Sequence, residues 1–367
     1  MENHSIVWVG MDTDVKKNQI ALYRGWDKEP AAEWEAGMEA KGISKLIERL
    51  GREQGEVRCV YEAGPCGYEL YRELKKAGIH CDVIAPSLTP QRPGDRVKTN
   101  RRDARNLGRL YRAGELTVIE VPNEKQEALR DLTRAREDVR EDLTRRQHRL
   151  NRFLARQGRH YPDGGKWTQK HWAWIGTVHF DDPNLDTVLE ESIRSVEQSQ
   201  EQLKTFDSRI EENAQKPEYV KKVERYQTLR GVKTITAMTI VAEVGDMRRY
   251  ATAPQFMAST GLVSSEYSTG DRERRGKITK AGNSHLRRLL VEAGWHCRHR
   301  ASVGKAVKQR RKGQPAAVVT IAERADQRLH RKFRRMVDRY NKKPVIAAVA
   351  AARELAGFIW AIGQIPD

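Results

Sequence analysis

Three carboxylates in the first third of the chain stand where a sheet would deliver them to one place. Asp12 follows the apolar run Ile6-Val7-Trp8-Val9, and Glu62 follows Val57-Arg58-Cys59-Val60-Tyr61. Asp103 opens a helical pattern after Cys81-Asp82-Val83-Ile84. In a fold that alternates strands and helices, residues just beyond strand ends converge on one edge of the sheet. Carboxylate oxygens gathered there suit Mg²⁺, a hard cation that takes oxygen ligands and keeps several waters. A pair of such ions can activate the attacking oxygen and stabilise the leaving one in phosphodiester chemistry. Taken singly, each acid reads as a solvated loop carboxylate or a helix cap. Their joint placement points to a metal. Asp103 also lies inside "RVKTNRRDAR" (96–105), where Arg101 and Arg102 would face a phosphate backbone beside the metal-bound acid.

The elements that must position these acids are read from periodicity. Ile6–Val9 is a buried central strand, the turn Asp12-Thr13-Asp14 reverses the chain, and Gln19–Tyr23 returns as its hairpin partner. A helix over 42–50, a strand over 57–61, a helix over 68–76, a strand over 81–84 and a helix over 104–112 complete an α/β sheet that starts with an antiparallel hairpin. Pro122-Asn123 then opens a long helix, with Asn123 as N-cap and Gln126 completing a capping box. Leu129, Leu132, Val139, Leu143, Leu150 and Phe153 keep 3/4 spacing, with Arg136 and Arg146 in the seam. A second helix repeats the spacing through Leu189, Ile193, Val196, Leu203 and Ile210, with Gln200 and Asp207 in its seam. Two such helices predict an antiparallel coiled-coil pair or a dimer seam. Between them, Trp167, Trp172 and Trp174 either pack over the helix tips or stack on bases. From Val220 onward, Leu229–Thr234 leads into an apolar helix ending at Gly245-Asp246, as a weak helix-hairpin-helix or a plain helical corner. The expected division is 1–120, 121–219 and 220–367.

Charge narrows the partner. The chain of 367 residues carries a net +18, with 38% hydrophobic and 32% charged residues. Nearly all of the excess falls between Asp271 and Lys343, where 23 Lys and Arg face 6 Asp and Glu. Charge focused in this way points to a polyanion. Arg272, Arg274, Arg275, Lys277 and Lys280 directly follow the hydroxyls of Tyr267-Ser268-Thr269-Gly270. Gly282-Asn283-Ser284 then caps a helix carrying Arg287 and Arg288. Arg310, Arg311, Lys312, Arg331, Lys332, Arg334 and Arg335 extend the basic surface, which gives nucleic-acid affinity without sequence information. Cys59, Cys66, Cys81 and Cys297 have no metal-ligand spacing and read as reduced core thiols of a cytoplasmic protein. The amino terminus has no signal-peptide pattern. The apolar stretch 345–362 is broken by Arg353 and Glu354, so it reads as a buried terminal helix and no membrane partner is expected.

"GMDTDVKKNQIALY", "YEAGPCGYEL", "VKTNRRDARNLGRLYRAGEL" and "SEYSTGDRERRGKITKAGNSHLRRLLVEAGW" occur in this order, and together the chain resembles the Piv/MooV-type DEDD transposases of bacterial insertion sequences, the insertion-sequence 110 family. The resemblance runs over nearly the whole chain. It implies a RuvC-like (ribonuclease-H-like) domain with an Asp-Glu-Asp-Asp metal site, long coiled-coil helices, and a mainly helical C-terminal transposase domain with a nucleophilic serine. It further implies Mg²⁺, donor and target DNA, a structured bridge RNA as guide, and a homo-oligomer, dimer or tetramer. By motif, Asp12, Glu62 and Asp103 are the acids. The family's third acid falls on Asn100, whose amide oxygen can bind Mg²⁺ but adds no charge. Asp14 and Asp95 are nearby acids. The family's serine, directly before the glycine, falls on Thr269, with Ser268 one residue earlier, so both remain candidates for the nucleophile.

The favoured expectation is therefore an RNA-guided DNA recombinase working through a covalent Ser/Thr-phosphodiester intermediate. A Holliday-junction-type, metal-dependent nuclease would use only the first domain. A catalytically degenerate nucleic-acid-binding regulator is motivated by Asn100 and Thr269.

Overall fold

A computed structural model describes residues 6–90, 99–270 and 272–366. The chain divides into two compact units, Met1–Pro122 and Asn123–Asp367.

The first unit is built on a sheet of six strands in the order β3-β2-β1-β4-β5-β6. Strand β1 (Val7–Thr13) pairs antiparallel with β2 (Lys17–Arg24), and β2 pairs in turn with β3 (Ala32–Gly37). Helix α1 (Ala40–Leu50) leads to β4 (Val57–Glu62), which lies parallel to β1; α2 (Glu69–Lys76) leads to β5 (His80–Ile84), parallel to β4. Helix α3 (Asn100–Arg112) and the short edge strand β6 (Val118–Ile119) follow.

The sheet has two covered faces, as buried parallel strands require. Val7, Val9, Met11, Ile20, Leu22, Cys59 and Tyr61 pack with Leu46, Leu50, Leu70 and Leu74 from α1 and α2. The alternate residues face α3: Trp8, Ala21 and Tyr23 meet Ala104, and Val60 and Ile84 meet Leu107. Gly10 is the point of closest approach. A Cβ there would lie 2.2 Å from the Ala104 carbonyl oxygen and 2.3 Å from the Gly108 nitrogen, so only glycine lets α3 lie this close to β1.

Three features differ from the sequence reading. β1 runs on to Thr13, because β2 pairs with it as far as Thr13 opposite Asn18; Asp12 is thus inside the strand rather than beyond it. β3 was not apparent from the sequence, since Trp34 and Ala36 alternate with Glu33 and Glu35 on a polar edge. α3 begins four residues early, at Asn100, because the Thr99 side chain caps it by accepting the Arg102 N–H.

The second unit starts with α4 (Glu124–Arg156), then α5 (Gln169–Ile175) and α6 (Pro183–Ala214). α4 and α6 lie antiparallel. Their polar seam positions satisfy one another: Arg136 pairs with Asp207 at 2.7 Å, and Arg146 donates to the Ser195 carbonyl at 2.9 Å. Asn123 caps α4 as expected, yet the Gln126 side chain donates to the Ala242 carbonyl instead of closing a capping box. The tryptophans lie at the far tip of the pair, where Trp167, Trp172 and Trp174 pack partly buried against Leu150, Phe153 and Leu154. That is tip packing, with Trp174 stacked on His171.

The remaining elements are α7 (Val220–Gln227), α8 (Thr234–Val244), α9 (Ala253–Ser259), the ribbon of β7 (Ser264–Glu266) and β8 (Arg275–Ile278), α10 (Ser284–Trp295), α11 (Lys305–Arg311), α12 (Ala316–Arg334) and α13 (Pro344–Gly363). They surround one hydrophobic core. The turn between α7 and α8 is a helical corner: Gly231 faces the Ala293 backbone and the His296 ring, which close that side of it. Among the described residues, α13 is the one helix long and apolar enough to cross a membrane. It is a core helix here, with Ala347, Ala348, Ala351, Leu355, Ile359 and Ile362 buried against α10 and α12.

Candidate functional site

Strand register brings two of the acids together. Met11 pairs with Tyr61, so Asp12 and Glu62 are the next residues on adjacent parallel strands, which run about 4.8 Å apart. Both lie on the face that α3 covers, because side chains alternate and Gly10 and Val60, two residues earlier, face that helix. Asp103 is in the first turn of α3, one residue before Ala104, which packs on β1. Asn100, three residues before Asp103, shares its side of the helix. Thr89 Oγ1 donates to Glu62 Oε1 at 2.8 Å and holds that carboxylate at the strand end.

The donors are all oxygen, which fits a hard divalent cation. They are placed on one side of the sheet but not drawn tightly together: among the described residues, no three His, Cys, Asp or Glu side chains form a metal-holding group. Asp14 lies in the β1–β2 turn, where its carboxylate accepts the Val15 N–H at 2.7 Å. Asp95, with Arg96, Val97 and Lys98 of the basic stretch, lies outside the described residues.

The hydroxyls sit at the end of the β7–β8 ribbon. The Tyr267 N–H donates to the Arg274 carbonyl, and Thr269 exchanges two backbone hydrogen bonds with Arg272, each 3.2 Å. Gly270 takes the positive φ of 56° that this tight reversal needs. Ser268 Oγ donates to Glu266 Oε1 at 2.8 Å and accepts the Arg274 N–H at 3.2 Å. Glu266 was missed in the sequence. The signal was available: residues two apart on an extended strand share a face, and Glu266 and Ser268 are such a pair.

The feet of the ribbon are fixed from below. Arg287 Nη1 donates to the carbonyls of Thr260 and Lys280, tying the two feet together. Next to them, the buried Glu243 accepts from Arg134 at 2.8 and 2.9 Å and from Asn283 Nδ2 at 2.6 Å, with His285 Nδ1 at 3.3 Å. Burial would raise the pKa of Glu243, but its bonds to His285, Arg134 and Asn283 outweigh burial and hold it at about 2. The charged carboxylate thus locks α4, α8 and the start of α10 together.

The nominated cations divide into two sets. Arg272, Arg274, Lys277, Lys280 and Lys312 are exposed, as is Arg275, which pairs with Glu273 on the ribbon. Arg102 is exposed at the start of α3. Arg311, Arg310, Arg288 and Arg101 are engaged within the fold. Arg311 is buried, donating to the Thr228 carbonyl and pairing with Asp326 at 2.6 Å; Arg310 donates to the Val232 carbonyl at 2.7 Å. Arg288 is held by Glu137 and Glu292. Arg101 joins Arg105 on Glu33, and these hydrogen bonds, Arg105's foremost, bring the Glu33 pKa down to about 2. Arginine is abundant in the sequence, but a helix face and a phosphate site are not distinguishable from it.

The first unit is thus a six-stranded mixed sheet with Asp12 and Glu62 near the ends of adjacent strands, and the second is a helical unit that displays hydroxyls amid exposed cations. Comparison with known proteins gives the family. Residues 223–309 match the transposase family IS116/IS110/IS902, and residues 9–157 match the DEDD transposase domain of IS110 elements. The chain is 40% identical over 358 residues to a putative transposase, y4qE, of Sinorhizobium fredii, covering 97% of this chain and 88% of that protein. It is 35% identical over 343 residues to the transposase for insertion sequence element IS1533 of Leptospira borgpetersenii, covering 92% and 98%. The chain is an insertion-sequence transposase. It belongs to the IS110 family, whose members cut and rejoin DNA.

Proposed function

We propose that this transposase recombines donor and target DNA through a covalent serine-phosphodiester intermediate, guided by a structured bridge RNA and working as a dimer or tetramer. The observation that carries the reading is the placement of Asp12 and Glu62 side by side on the α3 face, with Asp103 in the helix packed over it. The strand order, with an antiparallel β1–β2–β3 and parallel β4 and β5, supports a RuvC-like domain. The focused basic charge supports a nucleic-acid partner, and the reduced thiols agree with action in the cytoplasm.

Asp12, Glu62, Asp103 and the Asn100 amide would hold Mg²⁺, which supplies charge neutralisation for a phosphate and polarises its oxygens. Everything else falls to the chain's own groups. Ser268 Oγ attacks a DNA phosphorus, forming the Oγ–P bond and breaking the bond to a deoxyribose oxygen, which leaves and takes up a proton from water. Glu266 accepts the Ser268 proton along their existing 2.8 Å hydrogen bond. Exposed Arg272, Arg274 and Lys277 on the same ribbon neutralise the charge that grows on the phosphate. The hydroxyl of the partner DNA strand then attacks the phosphorus, forming the new O–P bond and breaking the Oγ–P bond; its proton passes to water, and Glu266 returns a proton to Ser268 Oγ. The linkage conserves the phosphodiester's energy, so no nucleotide cofactor is called for.

The purified protein with its element's RNA, donor DNA and target DNA in Mg²⁺ should give a protein–DNA adduct on a denaturing gel. Asp12→Asn should abolish the adduct while leaving DNA binding intact. Cleavage without any adduct would instead support a junction nuclease. Binding without cleavage would support a silent regulator.

A further inference from the structure

The function proposed above leaves one cationic feature unused. At the end of α12 the chain enters a π-helical turn, Arg335–Arg339, and a groove of about 570 Å³ opens beside it. Gln327, His330, Arg331, Arg334, Arg335, Asp338 and Arg339 line one side, and Ala301 lies on the other. The opposite wall is built rather than loose. Arg230 donates to the carbonyls of His299, Arg300 and Ser302 at 3.1, 2.5 and 2.6 Å, and His330 Nδ1 lies 3.0 Å from the Cys297 carbonyl oxygen.

The pairing of the cations is uneven. Away from the groove, Arg328 and Lys332 share Glu354; within it, Arg334 pairs with Asp338. Arg331, Arg335 and Arg339 are exposed, and none forms an ion pair among the described residues. The four-residue interval from Arg331 to Arg335 spans about 6 Å along the helix axis, and Arg339 continues the stripe at the end of the π-helical turn. A stripe of like charges at this spacing is unfavourable for the helix itself. Cations that served only the helix terminus would be confined to its last turn, whereas this stripe spans two. π-Helical turns are rare and concentrate at functional sites.

We propose that this groove seats one phosphate backbone of duplex DNA, and this rests on the transposase reading. Guanidinium groups match phosphate oxygens in pairs. The one ring in the lining, His330, is half-buried and held at the Cys297 carbonyl, so the groove presents mainly guanidinium groups. A surface that reads backbone and no bases fits a partner whose sequence varies from site to site, and that partner is DNA.

The test measures binding of the full-length protein to a duplex DNA of arbitrary sequence between about 50 and 200 mM salt. The variant Arg331→Gln/Arg335→Gln/Arg339→Gln should bind at least tenfold more weakly. Its slope of log affinity against log salt should be shallower by about 2 to 3, close to 0.9 per lost phosphate contact. Each single variant should lower the slope by about 1. A charge-matched variant on α6, Arg194→Gln/Lys204→Gln/Arg209→Gln, should leave it nearly unchanged. Equal effects of the groove and α6 variants would overturn the proposal. So would a loss confined to an RNA duplex probe of the same length. A wild-type protein that failed to bind duplex DNA at all would overturn the recombination mechanism proposed above as well, which separates the two failures.

Discussion

The carboxylate face of the sheet and the hydroxyl-bearing ribbon are held in place by opposite means. Asp12 and Glu62 sit on adjacent buried strands, and backbone register sets their spacing. Ser268 is exposed at the end of a two-stranded ribbon, and its orientation comes from one side chain, Glu266, and one backbone N–H, that of Arg274. A register error would move the acids to the wrong face, so the fold itself protects them. No core protects the serine's orientation. It depends on local hydrogen bonds and on the Arg287 strap at the ribbon's feet. The carboxylate half is therefore sensitive to packing, and the hydroxyl half to polar substitution.

That contrast can be broken from either side. The largest effect expected here is on the ribbon. Glu266→Gln removes the proton acceptor and should slow adduct formation about 10²-fold, read as the rate of the adduct band, with Mg²⁺ affinity unchanged. An unchanged rate would mean that Glu266 only orients the hydroxyl. Next is a packing change on the sheet. Gly10→Ala drives a methyl group into the α3 backbone, so it should cost about 1–3 kcal/mol in denaturant unfolding. By shifting Asp103 against Asp12, it should also raise the Mg²⁺ concentration needed for cleavage. The smallest effect should sharpen the sheet rather than break it. Asn100→Asp adds a charged oxygen beside Asp103 and should lower the Mg²⁺ requirement several-fold, about 1 kcal/mol of added attraction. Isothermal titration with Mg²⁺ measures it directly.

What was legible in the sequence follows the same line. The buried strands were legible because Ile6–Val9 and Val57–Tyr61 are apolar runs, and the placement of Asp12 and Glu62 near the ends of adjacent strands could be read from those runs. The long helices could be read from their spacing, including the seam residues Arg136 and Asp207, which pair with each other, and Arg146, which meets Ser195, a residue the spacing did not single out. β3 was hidden by its glutamates, one of which, Glu33, is the anchor of Arg101 and Arg105. The division of arginines into structural and displayed sets was also hidden. Arg311 and Arg331 look alike in a basic sequence, and only tertiary structure puts Asp326 beside the first and leaves the second facing a groove. Gly10 gave no sign of its role, because close approach to another backbone depends on where α3 lands.

The most direct test of the central claim is to digest the protein–DNA adduct and map the attached residue by mass spectrometry, in the wild-type protein and in Ser268→Ala and Thr269→Ala. The account predicts phosphodiester-linked nucleotide on Ser268, an intact adduct in Thr269→Ala, and a loss of at least about 10³-fold in Ser268→Ala. Attachment to Thr269, or an adduct that survives Ser268→Ala, would contradict it.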